Sequence, residues 1–295
     1  MIGRIGNPDA PRPLVVGPAT LAWGTRTWLM GILNVTPDSF SGDGLLAAPD
    51  PMEAGVAQAR RMVAEGADLL DVGGASSRPG HTVIDPDEEA ARVVPVIRAI
   101  HEALPATPLS VDTTSPAVAA AALDAGASLL NDIWGVADDP SMLRIAAERG
   151  VAIVLMHNRA EARYRDVVAE VVADLRRALD RAVDAGVPWE HLVVDPGFGF
   201  GKTPDHNLAL MAGLGALRAL GRPILLGTSR KSTLGRILDL PADQRLEATL
   251  ATTALGIAAG VDIVRVHDVR ENLRGARTAD AILRGWRPEH WEGGT

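Results

Sequence analysis

Short apolar runs alternate along this chain with longer segments whose apolar residues recur every three or four positions. The short runs have the length of buried strands, and the longer segments have the spacing of amphipathic helices. Predicted strands cover residues 28–33, 69–72, 109–112, 128–131, 152–156, 192–195, 223–227 and 262–266. Predicted helices cover residues 52–65, 87–104, 116–125, 140–149, 166–185, 206–220, 244–259 and 271–284.

Eight strand–helix units in about 270 residues predict an α/β fold of the TIM (β/α)8 barrel type. Residues 14–27 alternate apolar and polar positions around two glycines, which predicts a short N-terminal β-hairpin ahead of a barrel at about 28–284. Without a linker or a break in composition, residues 1–295 are predicted to form one domain. An open doubly wound sheet is the alternative fold.

Polar residues follow the predicted strands at the point where each strand ends. Examples are Asn34, Asp112, Asn131, Asp195 and His267. The carboxyl ends of the strands carry the working site of a TIM barrel. Because buried polar groups without partners are costly, a mere scaffold would not need them at all eight ends. The pattern therefore predicts an enzyme.

Composition restricts the function further. The formal net charge of −8 argues against a nucleic-acid partner, since no overall positive field exists to neutralise phosphates. Cysteine is absent, which excludes disulfides and thiolate metal sites. No apolar run reaches the roughly 18 residues that cross a bilayer, and no secretory signal is recognisable, so we expect a cytoplasmic protein without a membrane partner.

Lysine is rare in this chain. The 29 cationic residues include only two lysines, Lys202 and Lys231, and both stand near glycine- or serine-containing segments. A lysine retained against such an arginine bias is a candidate for a role that needs a compact ammonium group, although chance would give the same pattern. The three phenylalanines, Phe40, Phe198 and Phe200, all lie in predicted loops, where they either stack on a ligand or cover the core.

Five motifs at or after the predicted strands resemble the signatures of one enzyme family. In chain order they are Gly31-Ile-Leu-Asn-Val-Thr-Pro-Asp-Ser-Phe-Ser41, Asp71-Val-Gly-Gly-Ala-Ser-Ser-Arg-Pro-Gly80, Asp195-Pro-Gly-Phe-Gly-Phe-Gly-Lys202, Ser229-Arg-Lys-Ser232 and Arg265-Val-His-Asp-Val269. Together they resemble the dihydropteroate synthases, and the similarity extends over nearly the whole chain.

The resemblance implies a TIM barrel that joins 6-hydroxymethyl-7,8-dihydropterin pyrophosphate to p-aminobenzoate. The products are 7,8-dihydropteroate, a folate precursor, and pyrophosphate. The resemblance also implies a requirement for Mg2+, inhibition by sulfonamides and a homodimer. We favour a dissociative reaction, in which pyrophosphate leaves first and the amine of p-aminobenzoate then attacks the resulting cation.

The family's pterin contacts can be transferred to matching positions of this sequence. One carboxylate can accept hydrogen bonds from both the 2-amino group and the N3–H of a pterin ring, and Asp195 matches the family's acid. Arg265 could stack its planar guanidinium on the ring. The implied pterin-binding residues are Asp112, Asn131, Met156, Asp195, Lys231 and Arg265.

Pyrophosphate and Mg2+ need cations and oxygen ligands. Asn34 resembles the family's Mg2+ ligand, consistent with the few protein oxygens that this ion usually takes. The implied pyrophosphate contacts are Asn34, Ser77, Arg78, Arg265 and His267. The implied catalytic residues are Asn34, Arg78, Lys231, Arg265 and His267.

Loops 34–48 and 73–85 are expected to close over the substrates, since they are rich in Gly, Ser, Pro and Asp. With two later residues they would form the p-aminobenzoate pocket. The implied pocket consists of Phe40, Ser76, Ser77, Arg78, Pro79, Phe200 and Ser229.

The second motif departs from the family pattern. Ala75 stands where the family usually has glutamate, and Ser77 replaces a threonine but keeps the hydroxyl. Two alternatives therefore stay open. One is a pterin-binding barrel of another activity, such as the methyltetrahydrofolate-dependent methyltransferases, and the other is a non-catalytic paralogue.

Overall fold

The computed structural model describes residues 11–36, 44–75 and 84–291. Within them, two short antiparallel strands form the predicted hairpin and eight further strands form one parallel sheet. The hairpin consists of β1 (Leu14–Val16) and β2 (Ala19–Leu21). The parallel strands are β3 (Trp28–Asn34), β4 (Leu69–Gly73), β5 (Leu109–Asp112), β6 (Leu129–Asp132), β7 (Ala152–Met156), β8 (Leu192–Asp195), β9 (Leu225–Leu226) and β10 (Ile263–Val266).

The parallel sheet closes into a barrel. Strands β3 to β8 pair in chain order, and β10 pairs with both β3 and β9. A parallel bridge between Val194 in β8 and Ile224, just before β9, joins the two ends of the sheet. The predicted TIM barrel with its N-terminal hairpin is therefore confirmed.

Helices lie between the strands and after β10. Several begin where a proline fixes the first turn and the preceding side chain accepts a backbone N–H, as Asp50 and Ser115 do. The α-helices are α1 (Pro51–Ala64), α2 (Pro86–Ala103), α3 (Pro116–Asp124), α4 (Ser141–Arg149), α5 (Val167–Asp184), α6 (Pro204–Ala212), α7 (Ser232–Leu238), α8 (Leu246–Ala259) and α9 (Val269–Leu283).

Two predicted elements differ from the structure. The segment 206–220 is not one helix, because α6 ends at Ala212 and a 3-10 helix, Leu214–Leu220, follows. Gly213 and Gly215 weaken the α-helix at that point. The strand predicted at 223–227 shrinks to Leu225–Leu226, since Pro223 has no N–H to donate to a neighbouring strand.

The hairpin covers the amino-terminal end of the barrel. Its apolar side chains Leu14, Val16 and Leu21 are buried in a cluster with residues from the first halves of the barrel strands, such as Met30 and Leu69. A larger cluster lies between the strands and the surrounding helices. With one end of the barrel filled, the carboxyl ends of the strands remain for a ligand. None of the helices in the described part of the chain is long and apolar enough to cross a membrane.

Candidate functional site

A cavity of about 310 Å³ opens at the carboxyl ends of β5 to β10. This volume includes space that is open to solvent at the mouth of the barrel. All six predicted pterin-binding residues line it, together with Phe200. The lining consists of Asp112, Asn131, Ile133, Met156, Asp195, Phe198, Phe200, Gly227, Lys231 and Arg265.

Arg265 is held by two carboxylates from neighbouring strands. Its Nε donates to Asp71 Oδ2 at 2.6 Å, and its Nη2 donates to Asp112 Oδ2 at 2.8 Å. Asn131 donates its amide to the same Asp71 oxygen at 2.9 Å. The guanidinium at the end of β10 is therefore tied to β4 and β5 on the far side of β3, which limits its rotation before any ligand arrives.

Asp71 was missing from the predicted site residues. It is fully buried in β4, below the cavity lining, and its Oδ1 has no hydrogen-bond partner among the described residues. Its signal in the sequence was one acid inside an otherwise apolar strand, Leu69-Leu70-Asp71-Val72. A charged side chain in such a position is rarely tolerated unless it is paired, and here Arg265 is the partner.

Asp195 ends β8 inside the cavity. Its Oδ1 accepts the Gly197 N–H at 2.7 Å, and the side chain is buried. Burial raises the pKa of Asp195 to about 6, while the Gly197 N–H and the nearby Lys231 oppose that shift. Burial also raises the pKa of Asp112, against the pull of Arg265. Both acids therefore change protonation closer to neutral pH than free aspartate does.

Lys231 brings an ammonium group to the opposite wall. Burial lowers its pKa to about 8, and the neighbouring Arg265 contributes in the same direction. Its Nζ lies 3.8 Å from the centroid of the Phe200 ring, which is a cation–π distance. Lys231 and Phe200 thus form one corner of the cavity.

The glycine-rich loop 196–201 connects β8 to that corner. Gly197 has φ +68° and packs so closely against the segment after β7 that a Cβ would stand 1.8 Å from the His157 carbonyl oxygen. Phe198 is buried, whereas Phe200 is half-buried at the cavity. The two phenylalanines therefore divide the roles that the sequence left open, because Phe198 joins both the core and the cavity wall and Phe200 faces the cavity and Lys231.

Ser229 and His267 contact each other above β9 and β10. The Ser229 hydroxyl lies 2.8 Å from His267 Nδ1 and accepts the His267 backbone N–H at 3.2 Å. Because a hydroxyl both donates and accepts, this contact fits either tautomer of the His267 ring. Ser229 is buried and is not part of the cavity lining. Its predicted place in an aminobenzoate pocket stays a prediction.

The predicted metal ligand Asn34 is the last residue of β3, next to β10 and beside Gly73 of β4. No three or more His, Cys, Asp or Glu side chains of the described residues come together as a metal cluster. Of the other predicted site residues, a group falls outside the described residues: Phe40, Ser76, Ser77, Arg78 and Pro79.

The arrangement suits a flat polar heterocycle. Two carboxylates, one amide, one ammonium and one guanidinium face a space whose other walls include Met156, Ile133 and two phenylalanines. Charged acceptors in a buried site make strong hydrogen bonds to N–H donors, and the apolar walls would contact ring faces.

Comparison with known proteins shows which family this chain resembles. A family model described as pterin binding enzyme matches residues 30–267. The dihydropteroate synthase of Bacillus subtilis is 48% identical over 93% of this chain and 95% of its own length.

Solved structures are similar over the same extent. A Clostridium difficile dihydropteroate synthase determined with pteroic acid has a TM-score of 0.84 at 45% identity, and the match covers 89% of this chain and 98% of that one. A Xanthomonas albilineans dihydropteroate synthase with 4-aminobenzoic acid has a TM-score of 0.86 at 40% identity, covering 92% and 98%.

Proposed function

The chain belongs to the family of pterin-binding enzymes, and on that premise we propose that it catalyses the dihydropteroate synthase reaction. Its substrates are then 6-hydroxymethyl-7,8-dihydropterin pyrophosphate and p-aminobenzoate. The observation that carries the proposal is the cavity at the carboxyl ends of the strands, where Asp195, Asp112 and Asn131 converge with Lys231 and Arg265.

In this proposal the pterin ring enters the cavity edge-on to Asp195. The carboxylate accepts hydrogen bonds from the ring N3–H and the 2-amino group, and Asp112 and Asn131 bind the remaining polar edge. Arg265, already fixed by Asp71, packs its guanidinium against the ring face. These contacts orient the C6-methylene group toward the mouth of the barrel.

Pyrophosphate leaves before the new C–N bond forms. The electron-rich dihydropterin stabilises the C6-methylene cation. The amine of p-aminobenzoate then attacks it through the nitrogen lone pair and releases one N–H proton to water. Arg265 and His267 stabilise the charge that develops on the leaving group. Phe200 and Met156 keep water from the cation, which would otherwise be captured. This scheme needs no covalent nucleophile.

We propose Mg2+ as the cofactor and Asn34 as its ligand from the protein. An amide oxygen is a hard ligand that suits Mg2+, and an ion held by one protein oxygen would complete its shell with substrate oxygens and water. The absence of an acidic cluster among the described residues is compatible with such a shared site. When bound, the ion would neutralise charge on the pyrophosphate.

We also propose that the chain forms a homodimer and acts in the cytoplasm. An apolar groove on α8 and α9 supports the dimer, since it includes Leu250, Ala254 and Ile282, and Ile282 is 77% exposed. A second copy would cover these side chains. Light scattering should then show a dimer for the natural chain and for L208E, a change at an exposed leucine on α6, but a monomer for I282E. A dimer in I282E would contradict this surface.

One assay tests the central proposal. The purified protein is mixed with Mg2+, the dihydropterin pyrophosphate and p-aminobenzoate, and both pyrophosphate and dihydropteroate are measured. Equal amounts of the two products support the proposal. Pterin binding without either product would instead favour a non-catalytic paralogue, and methyl transfer from methyltetrahydrofolate would favour the alternative enzyme class.

A further inference from the structure

Lys202, the other lysine of the chain, lies outside the cavity lining and is held by several hydrogen bonds. Its Nζ is 3.0 Å from each of three acceptors, the His157 Nδ1 atom and the carbonyl oxygens of Gly197 and Phe200. A longer contact of 3.4 Å joins it to the His157 carbonyl. Burial lowers the pKa of Lys202 to about 7, and in the charged form its three N–H donors match the three short contacts.

His157 is turned toward Lys202 by an acid on α5. Its Nε2 lies 3.0 Å from Asp174 Oδ2, and the imidazole is fully buried. Because a carboxylate only accepts, Nε2 carries the proton and Nδ1 presents its lone pair to the ammonium. Burial, reinforced by the Lys202 charge, lowers the pKa of His157 to about 4, so the ring is neutral at physiological pH.

Asp174 is itself held in place by cations. Arg159 donates to its Oδ2 through Nη2 at 2.7 Å and through Nε at 3.0 Å, and Arg177 pairs with its other oxygen. The chain of contacts from Asp174 through His157 to Lys202 is therefore anchored on α5. The Asp174 side chain cannot change its conformation without breaking an ion pair with Arg159 or Arg177.

The far end of this chain is the glycine-rich loop of the site. Lys202 binds the carbonyls of Gly197 and Phe200, and the Phe200 N–H also donates to the Gly197 carbonyl at 3.1 Å. Gly197 donates to Asp195, and the Phe200 ring contacts Lys231. The ammonium thus fixes both ends of the turn that carries Phe200 to the cavity.

We propose that Lys202 is a positioning residue of this site. Oriented by His157 and Asp174, its ammonium group holds the glycine-rich loop so that Phe200 stands against Lys231 at the cavity. Lys202 touches no reacting group in this arrangement, and it acts through the loop. The part of the proposal that concerns p-aminobenzoate rests on the proposed function, whereas the part that concerns the loop does not.

The first test compares two variants by hydrogen–deuterium exchange. K202M keeps an unbranched side chain, shorter by one atom, and removes all three donors. R163M removes an exposed cation whose side chain is 86% accessible in the segment between β7 and α5, and it serves as the control. We expect amides of residues 197–201 to exchange at least about tenfold faster in K202M only, with the barrel strands unchanged.

Two outcomes of the exchange experiment would overturn the proposal. One is loop exchange in K202M equal to that in R163M, since the loop would then hold its shape without the ammonium. The other is faster exchange throughout the barrel strands of K202M, which would make Lys202 a residue of general stability.

The second test is kinetic. We expect KM for p-aminobenzoate to rise about tenfold in K202M, equivalent to about 1.4 kcal/mol, while the affinity for the dihydropterin changes less than about threefold. K202R, which retains the charge, should recover part of the loss. If K202M weakens the binding of both substrates equally, and K202R restores neither, a role of Lys202 through Phe200 is contradicted.

A third measurement needs no variant and no activity. ¹⁵N NMR of the natural protein reports which imidazole nitrogen of His157 is protonated. We expect a proton on Nε2 and none on Nδ1 at neutral pH. A proton on Nδ1 would face the ammonium donor with another donor and would overturn the proposal even if the enzyme proved fully active. Conversely, an activity assay without product would contradict the proposed function but would not affect the protonation result for His157.

Discussion

At the scale of single residues, burial shapes both the hydrogen bonds and the protonation of the candidate site. Each acid at the cavity is held by a protein donor, Gly197 for Asp195 and Arg265 for Asp112. The low polarity that strengthens these bonds also penalises charge. In the proposed function, the protonation states that suit a pterin therefore exist only in a limited range of pH.

Pterin affinity should depend on pH in a bell shape. Asp195 is an acceptor at both oxygens only when ionised, because protonation turns one oxygen into a donor. Affinity should therefore fall as pH drops below about 6, the pKa that burial gives this group. Lys231 loses its charge as pH rises above about 8, which sets the alkaline limb. Calorimetric titration with a pterin between about pH 5 and pH 9 measures the profile.

The D195N variant tests which group gives the acidic limb. D195N should bind a pterin about 100-fold more weakly, a loss of about 3 kcal/mol, and should lack the acidic limb. An acidic limb that survives in D195N would assign it to another group.

Asp71 should matter more for stability than any surface acid. D71N removes the charge that faces Arg265 in a buried pair, which costs about 3 kcal/mol of unfolding free energy. D124N removes an exposed pair with Arg149 and should cost less than about 1 kcal/mol. Urea denaturation of both variants measures the difference. Equal losses would mean that Asp112 alone holds the guanidinium.

At the scale of elements, periodicity predicted the barrel and its eight strands, because alternating apolar runs and helical stripes reflect local burial. It failed where a local feature overrode the pattern, as Gly213 did in the helix predicted at 206–220. The candidate site residues at strand ends could be found in the sequence because polar side chains recur directly after the apolar strands. The pairing of Asp71 with Arg265 and the contacts of Lys202 could not be predicted, since they join strands and loops that are distant in sequence.

The glycine-rich loop gives a test of close packing between elements. In G197A the new Cβ would overlap the His157 carbonyl at 1.8 Å, at a backbone φ of +68°. G150A is a matched control, because Gly150 has φ +65° and a Cβ added there would meet no atom within 4 Å, and it should cost about 1 kcal/mol. We expect G197A to cost at least about 2 kcal/mol more in thermal or urea denaturation. Similar losses would show that the loop can move away from β7.

At the scale of the whole molecule, the two ends of the barrel serve different purposes. The hairpin fills the amino-terminal end with apolar side chains, and the polar residues gather at the carboxyl end. Because the same strands run from one end to the other, the hairpin supports the frame on which the site residues are mounted. Stability and chemistry are therefore separated along the barrel axis.

Shortening a buried side chain of the hairpin should lower the free energy of unfolding but leave ligand binding at the site unchanged. L21A removes a fully buried side chain and should cost about 3 kcal/mol of unfolding free energy. V15A, on the same hairpin but 61% exposed, should stay within about 0.5 kcal/mol of the natural chain. Pterin affinity below the melting temperature should be unchanged in both. A loss of affinity in L21A would mean that the hairpin shapes the opposite end.

The two lysines also have a practical consequence. Every side-chain primary amine of the chain belongs either to the cavity or to the loop that borders it. Burial lowers the pKa of Lys202 to about 7 and that of Lys231 to about 8, so a larger share of each is the nucleophilic free amine than in an ordinary lysine. An amine-directed acylating reagent, normally a general surface label, would here modify lysine side chains only at this corner of the barrel, and its uptake would report whether the corner is open or filled.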